Sequence, residues 1–258
     1  MKYSVYARIS VVMSLHRFFV AETNLANGVF FLSGSAGKHI KALRLKTGDR
    51  ITICDGAGKE YNCLLKKISN EDAEAKIIGS LNNSTEPSIK CTVLAGVSKG
   101  ERSDLTVQKC TEAGACKIVF FPAERSVSRI SDKNKDAKLT RWRRVAEEAA
   151  MQSGRGIIPA VFCAVDFAEA VDIAIKSDLA LFMYETGERI SIKRAINEAG
   201  YFSSVAVMTG PEGGFEKYEA DIARSAGLIT CSMGPRILRC ETAPVIALAA
   251  LMYHTDNL

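Results

Sequence analysis

The sequence predicts an α/β protein in two parts: a small β-rich unit over residues 15–82, then a larger domain over 83–258 in which strands and helices alternate. Three observations carry this. Short apolar or alternating runs separated by turn residues crowd the first part. The stretch SLNNSTEPS (80–88) has the composition of a linker. Beyond it, near-continuous apolar runs lead one after another into helical patterns, as expected of parallel strands buried on both faces.

The first dozen residues, MKYSVYARISVV, do not make a targeting signal, because Arg8 and Ser10 interrupt the apolar run and no small-residue cleavage site follows. Residues 1–14 are expected to be an N-terminal extension, with Met13 an alternative start. Strands follow at GVFFL, RITICD, EYNCLLKKI and EAKIIGS, parted by turns such as GSAGKH and DGAGKE. One helix interrupts them, GKHIKALRL, with Ile40, Leu43 and Leu45 on one side. A compact barrel is the closure expected of so many short strands.

The second part opens with the strand IKCTVLAGV (89–97) and the helix KGERSDLTVQKCTEAG, whose apolar positions are Leu105, Val107 and Ala113 and whose stop is Gly114. CKIVFFP (116–122) is again a buried strand. The next helix runs from about Asn134 to Gln152, with Leu139, Trp142, Val145 and Ala149 at spacings of three and four, which makes Trp142 a core residue rather than a stacking platform. Three strand–helix units complete the chain: DLALFMYE with RISIKRAINEAG, SSVAVMTGPEGG with FEKYEADIARSAG, and LITCSMG with ETAPVIALAALMYH. The last helix is apolar nearly all round, so it plugs a core or forms a subunit interface.

Composition narrows the function classes. The longest apolar candidate, APVIALAALMY, is about half the roughly 20 residues a membrane helix needs. Eight cysteines form no CxxC pair, and Cys54, Cys91 and Cys116 sit in apolar runs, which points to a reducing cytoplasm. The three histidines lack metal-ligand spacing, so no metal is expected. Net charge is +5, and the segment from Lys117 to Arg155, with ten basic residues against five acidic, accounts for the whole surplus. Such a concentration recruits polyanions by counterion release, with nucleic acid foremost.

Two loops stand out, MTGPEGGF (208–215) and MGPRILRCETA (233–243). Both follow apolar strands, carry Gly-Pro and open helices, so in a parallel sheet they lie at one edge and build one pocket. Their glycines let backbone approach a flat ligand, Met233, Ile237 and Leu238 supply apolar cover, and Glu212, Arg236 and Arg239 supply charge. GPEGG matches neither GxxxxGK[ST] nor GxGxxG, which leaves a phosphate cradle without support.

These loops, with HRFFV, GKHIKALRLKTGDRITICDGAGKEYNCLL, KGERSDLTVQKCTEAGACKIVFFPAERS, and EEAAMQSGR followed by Pro159, occur in order from His16 to the C-terminus. In them the chain resembles the 16S ribosomal RNA (uracil-N3)-methyltransferases of the SPOUT class. The resemblance implies a PUA-like RNA-binding β-barrel over 15–82 and a SPOUT-type α/β methyltransferase domain over 83–258 whose C-terminal segment threads a deep trefoil knot, an exception to the usual rule on connections. It implies the cofactor S-adenosylmethionine, held by Met183, Gly210, Glu212, Gly213, Met233, Gly234, Ile237 and Leu238. It implies a cytoplasmic homodimer acting on 16S ribosomal RNA in the small subunit. The chain departs from the family pattern at Ser103 (usually Met), Cys110 (usually Ala), EAGA (usually ELGV) and Cys240 (usually Thr).

The chemistry that follows is specific. Uracil N3 is protonated at neutral pH, so a base must take that proton or a cation must favour the anion. Arg239 is the candidate cation near the base or its phosphate, and Glu212 the candidate for proton acceptance or cofactor anchoring. N3 lies on the pairing edge, which requires an unpaired or extruded uridine. Arg17, Arg44, Lys46, Arg125, Arg129 and Arg155 are the candidate RNA contacts, since guanidinium groups pair with phosphate and stack on bases. Two other readings stay open: a ribose 2'-O-methyltransferase of the same fold, and a non-catalytic RNA-binding ribosome-assembly factor, against which the two intact loops count.

Overall fold

The computed structural model describes residues 16–128 and 130–258. Residues 1–14 and Arg129 therefore lie outside the described residues. Two compact units are present: one holds the described residues through Ser84 together with 154–157, the other Thr85–Ser153 and Ile158–Leu258.

The first unit contains β1 (Arg17–Phe19), a 3-10 turn (Glu22–Asn24), β2 (Leu25–Ala26), β3 (Val29–Leu32), α1 (Ser35–Ala42), β4 (Arg50–Cys54), β5 (Lys59–Ile68) and β6 (Ala73–Asn82). They form one sheet in the order β1-β4-β5-β6-β3-β2, antiparallel except for β1 on β4. Its inner face buries Phe18, Phe30, Leu32, Ile51, Ile53, Leu65 and Ala75, with Ile40 of α1 laid over them. The expected barrel is not closed by strand pairing among the described residues. β1 and β2, three and two residues long, stand at opposite ends of the order, and α1 helps cover the core. That placement needs Gly37, where a Cβ would lie 1.8 Å from the carbonyl oxygen of Glu71.

The second unit contains β7 (Lys90–Gly96), α2 (Arg102–Glu112), β8 (Lys117–Phe121), α3 (Asp132–Ser153), β9 (Ala160–Cys163), α4 (Phe167–Ala174), β10 (Leu179–Met183), β11 (Ile190–Ser191), α5 (Ile192–Ala199), β12 (Ser204–Thr209), α6 (Lys217–Ser225), β13 (Ile229–Ser232) and α7 (Ala243–His254). Its seven strands are all parallel, in the order β11-β13-β10-β12-β7-β8-β9. Successive residues point to opposite faces, and both faces are covered. Val93, Ile118, Leu181 and Val207 pack under α2, α3, α5 and α7. Leu94, Val119, Phe182 and Met208 pack under α4 and α6. Trp142 is buried with its ring 4.2 Å from that of Phe120.

Three features of this unit differ from the sequence reading. β11 occupies the start of RISIKRAINEAG, which was expected to be helical. The pair of β9 and α4 has no counterpart in that reading. And α2 buries not an apolar stripe of Leu105, Val107 and Ala113 but Ser103, Thr106, Val107, Cys110 and Thr111, leaving Leu105 43% exposed. The hydroxyls are satisfied within the protein: Thr106 donates to the carbonyl of Arg102 at 3.0 Å, Thr111 to that of Val107 at 2.7 Å, and Ser103 pairs with Ser98 at 3.1 Å. Hydroxyls so bonded bury at little cost. No helix among the described residues is long and apolar enough to cross a membrane.

Candidate active site

β13, β10 and β12 are neighbours in the parallel sheet, so the loops that leave their C-terminal ends emerge side by side. Between them lies a cavity of about 490 Å³, within the range of small-molecule sites. Tyr184, Glu185 and Arg189 line it from the first loop, residues 209–212 and Gly214 from the second, and residues 232–241 from the third. The sequence reading paired the second and third; Met183, at the end of β10, brings the first with it.

Local backbone explains the close approach. At the end of β7, a Cβ on Gly96 would lie 2.5 Å from both the ring Cδ and the nitrogen of Pro211. Gly214 has φ +70°, a conformation that residues with a side chain rarely adopt, and a Cβ there would sit 2.6 Å from Glu185 Oε1. The third loop turns at Gly234, φ +106°, with nothing within 4 Å of the Cβ position.

The charges are organised by a residue the sequence reading did not single out. Arg102, at the start of α2, donates through Nη1 to Glu212 Oε1 at 2.8 Å, and its Nε lies 3.8 Å from Glu241 Oε2. It therefore touches a carboxylate from each Gly-Pro loop. Glu212 Oε1 also accepts from the backbone N–H of Lys99 at 2.7 Å. Burial pushes its pKa up, but the N–H groups of Lys99 and of Glu212 itself, with the Arg102 guanidinium, outweigh that and hold it below the usual carboxylate value. Cys240 donates to Glu241 Oε2 at 3.2 Å. Burial and that hydrogen bond push its thiol up to about 11, so at neutral pH it keeps its proton and donates.

Of the expected cofactor residues, Met183, Gly210, Glu212, Met233, Gly234, Ile237 and Leu238 all line the cavity. Gly213 does not. It faces the other way, where a Cβ would meet Arg125 at 2.8 Å. Arg239 lines the cavity, exposed, and its carbonyl accepts from the N–H groups of Thr242 and Ala243, both at 2.9 Å, at the start of α7. Its guanidinium enters no ion pair among the described residues, and neither does Glu185.

The expected RNA contacts are scattered. Arg44 and Lys46 are exposed on the first unit. Arg125 is half-exposed but bonded to Glu216 Oε1 at 2.6 Å and to the carbonyl of Gly213 at 3.3 Å. Arg17 is instead an internal support: it pairs with Glu60, donates to Cys54 Sγ at 2.8 Å, and has 15% side-chain exposure. Arg155 is only 3% exposed. A phosphate needs a solvent-facing guanidinium, so burial counts against both as RNA contacts.

Comparison with known proteins adds three findings. Residues 85–252 match the family model described as RNA methyltransferase domain, and residues 32–78 that described as RNA methyltransferase PUA domain. The chain is 34% identical over 234 residues to ribosomal RNA small subunit methyltransferase E of Bacillus subtilis, covering 89% of this chain and 91% of that protein. It also resembles the crystal structure of a ribosomal RNA small subunit methyltransferase E from Neisseria gonorrhoeae bound to S-adenosyl methionine, with 30% identity, TM-score 0.83, and 93% and 98% of the two chains covered.

Proposed function

The chain belongs to the RNA methyltransferase family, in the form that carries an RNA methyltransferase PUA domain ahead of the methyltransferase domain, and on that premise we propose that it methylates N3 of one uridine in 16S ribosomal RNA with S-adenosylmethionine. The observation that carries this reading is the single cavity at the loop edge of the parallel sheet, where Met183, Met233 and Leu238 lie beside an unpaired Arg239. Apolar cover for a flat ring, glycine backbone and flanking charges are what a nucleoside with a charged tail requires. The names of the Bacillus subtilis and Neisseria gonorrhoeae relatives support the substrate class, and the latter the donor.

When bound, S-adenosylmethionine supplies an already activated methyl electrophile. The protein's part is placement, exclusion of water and management of one proton. The backbone at Gly210 and Gly234, with Met183, Met233 and Leu238, would hold the donor in the cavity they line. Glu212 anchors its loop to Arg102 and Lys99, and those bonds make it a poor proton acceptor. Arg239 favours the anionic base as N3 loses its proton. Glu185 takes that proton, as the cavity carboxylate that no ion pair occupies among the described residues.

The finer parts of the reading have their own support. Insertion of β13 between β10 and β11 suits a deep trefoil knot. Exposed Ile246 and Tyr253 on α7 suit a homodimer. Eight free cysteines suit the cytoplasm. Exposed Arg44 and Lys46 suit phosphate contacts in the small subunit.

Purified protein, labelled donor and small ribosomal subunits lacking the modification are expected to yield N3-methyluridine. Arg239→Ala should slow transfer by about 100-fold or more while donor binding persists. Glu185→Gln should be slow at neutral pH and recover as rising pH ionises N3 unaided. Label recovered on ribose, or an Arg239→Ala enzyme as fast as its parent, contradicts the proposal.

A further inference from the structure

The first unit presents a second feature, on the outside of its sheet. β3 buries Phe30 and Leu32 and turns Phe31 outward, 49% exposed. Strand register places Phe31 opposite Glu74 of β6, and Glu74 opposite Lys67 of β5. Aromatic ring, carboxylate and ammonium thus form one row across the outer face. The adjacent row sets Lys76 between Val29 and Leu64. At the end of the first row a hollow of about 280 Å³ is lined by Phe31, Ser33, Lys67, Ser69, Asp72 and Glu74. Among the described residues, neither Lys67 nor Glu74 enters an ion pair. The row thus sets an exposed aromatic ring beside charges that enter no ion pair among the described residues.

We propose that this face is a subsite for one unpaired RNA nucleotide, separate from the methyl-transfer cavity: the base stacks on Phe31, its N–H edge donates to Glu74 or Asp72, and its phosphate pairs with Lys67. The subsite rests on the reading that the chain acts on RNA. Each group has a matching part in a nucleotide. The ring offers a sequence-tolerant stacking platform, the carboxylates accept from donors on a base edge, and the ammonium meets the backbone. The same carboxylates repel a free phosphate, so the hollow selects a base before a phosphate. A duplex is not the occupant, because paired bases offer neither a free face nor a free pairing edge.

The test is fluorescence anisotropy of the full-length protein with a short labelled single-stranded RNA of mixed sequence. Phe31→Ala should weaken binding by about tenfold, Phe31→Tyr should restore it, and Lys67→Gln should lower the salt dependence by about one ion. Donor binding and thermal midpoint should stay at parental values, which a folding defect would not allow. RNA binding by Phe31→Ala equal to the parent's overturns the subsite alone. A parent protein that binds no RNA overturns the subsite together with the RNA reading.

Discussion

Glu212 shows how far a single residue could be read. Its position in a glycine turn after a strand marked it as belonging to a site, and it does line the cavity. What it does there depends on Lys99 and Arg102, more than 100 positions away in the chain. No local pattern announces such a pair, because Arg102 in sequence is one of several charges opening a helix. Burial decided two other positions: Arg17 and Arg155 have the chemistry of RNA contacts, but the fold spends Arg17 on Glu60 and encloses Arg155. If Arg102 and Glu212 act as one latch between loops, Arg102→Ala and Glu212→Gln should each weaken donor binding by about tenfold, roughly 1.4 kcal/mol. The double variant should then be no worse than either single, as calorimetric titration in a double-mutant cycle would show. Additive losses would mean that the two side chains act separately.

Elements were legible where the hydrophobic period was clear. The runs behind β7, β8, β10, β12 and β13 announce themselves because a parallel strand buried on both faces needs apolar residues at nearly every position. β9 is four residues with alternate positions exposed at the sheet edge, and β11 only two residues, so neither offers a run of that kind. α2 was found but its face was misjudged, since Ser103, Thr106 and Thr111 are buried through hydroxyl bonds that hydropathy does not record. Gly96 ends β7 where the second loop crosses it. Gly96→Ala puts a methyl group 2.5 Å from Pro211, and overpacking of that kind costs about 1–3 kcal/mol. The thermal midpoint should fall by roughly 2–10 °C and donor binding with it. An unchanged midpoint and affinity would show that the Pro211 turn does not depend on this contact.

At the scale of the whole molecule, the order of strands was beyond the sequence reading. Alternation of strands and helices gave a parallel sheet, but not that β10 lies between β12 and β13. That order is a matter of long-range packing, and it is what brings three loops, not two, around one cavity. It also sets the methyl-transfer reading apart from the assembly-factor reading, because a protein that only binds RNA has no use for such a cavity. Hydrogen–deuterium exchange with and without S-adenosylmethionine tests this most directly. Slowed exchange is expected in peptides covering 183–189, 209–214 and 232–241 and at the start of α2, with β1 to β6 unaffected. Protection confined to one of these loops, or none at saturating donor, would contradict a single cavity built by all three.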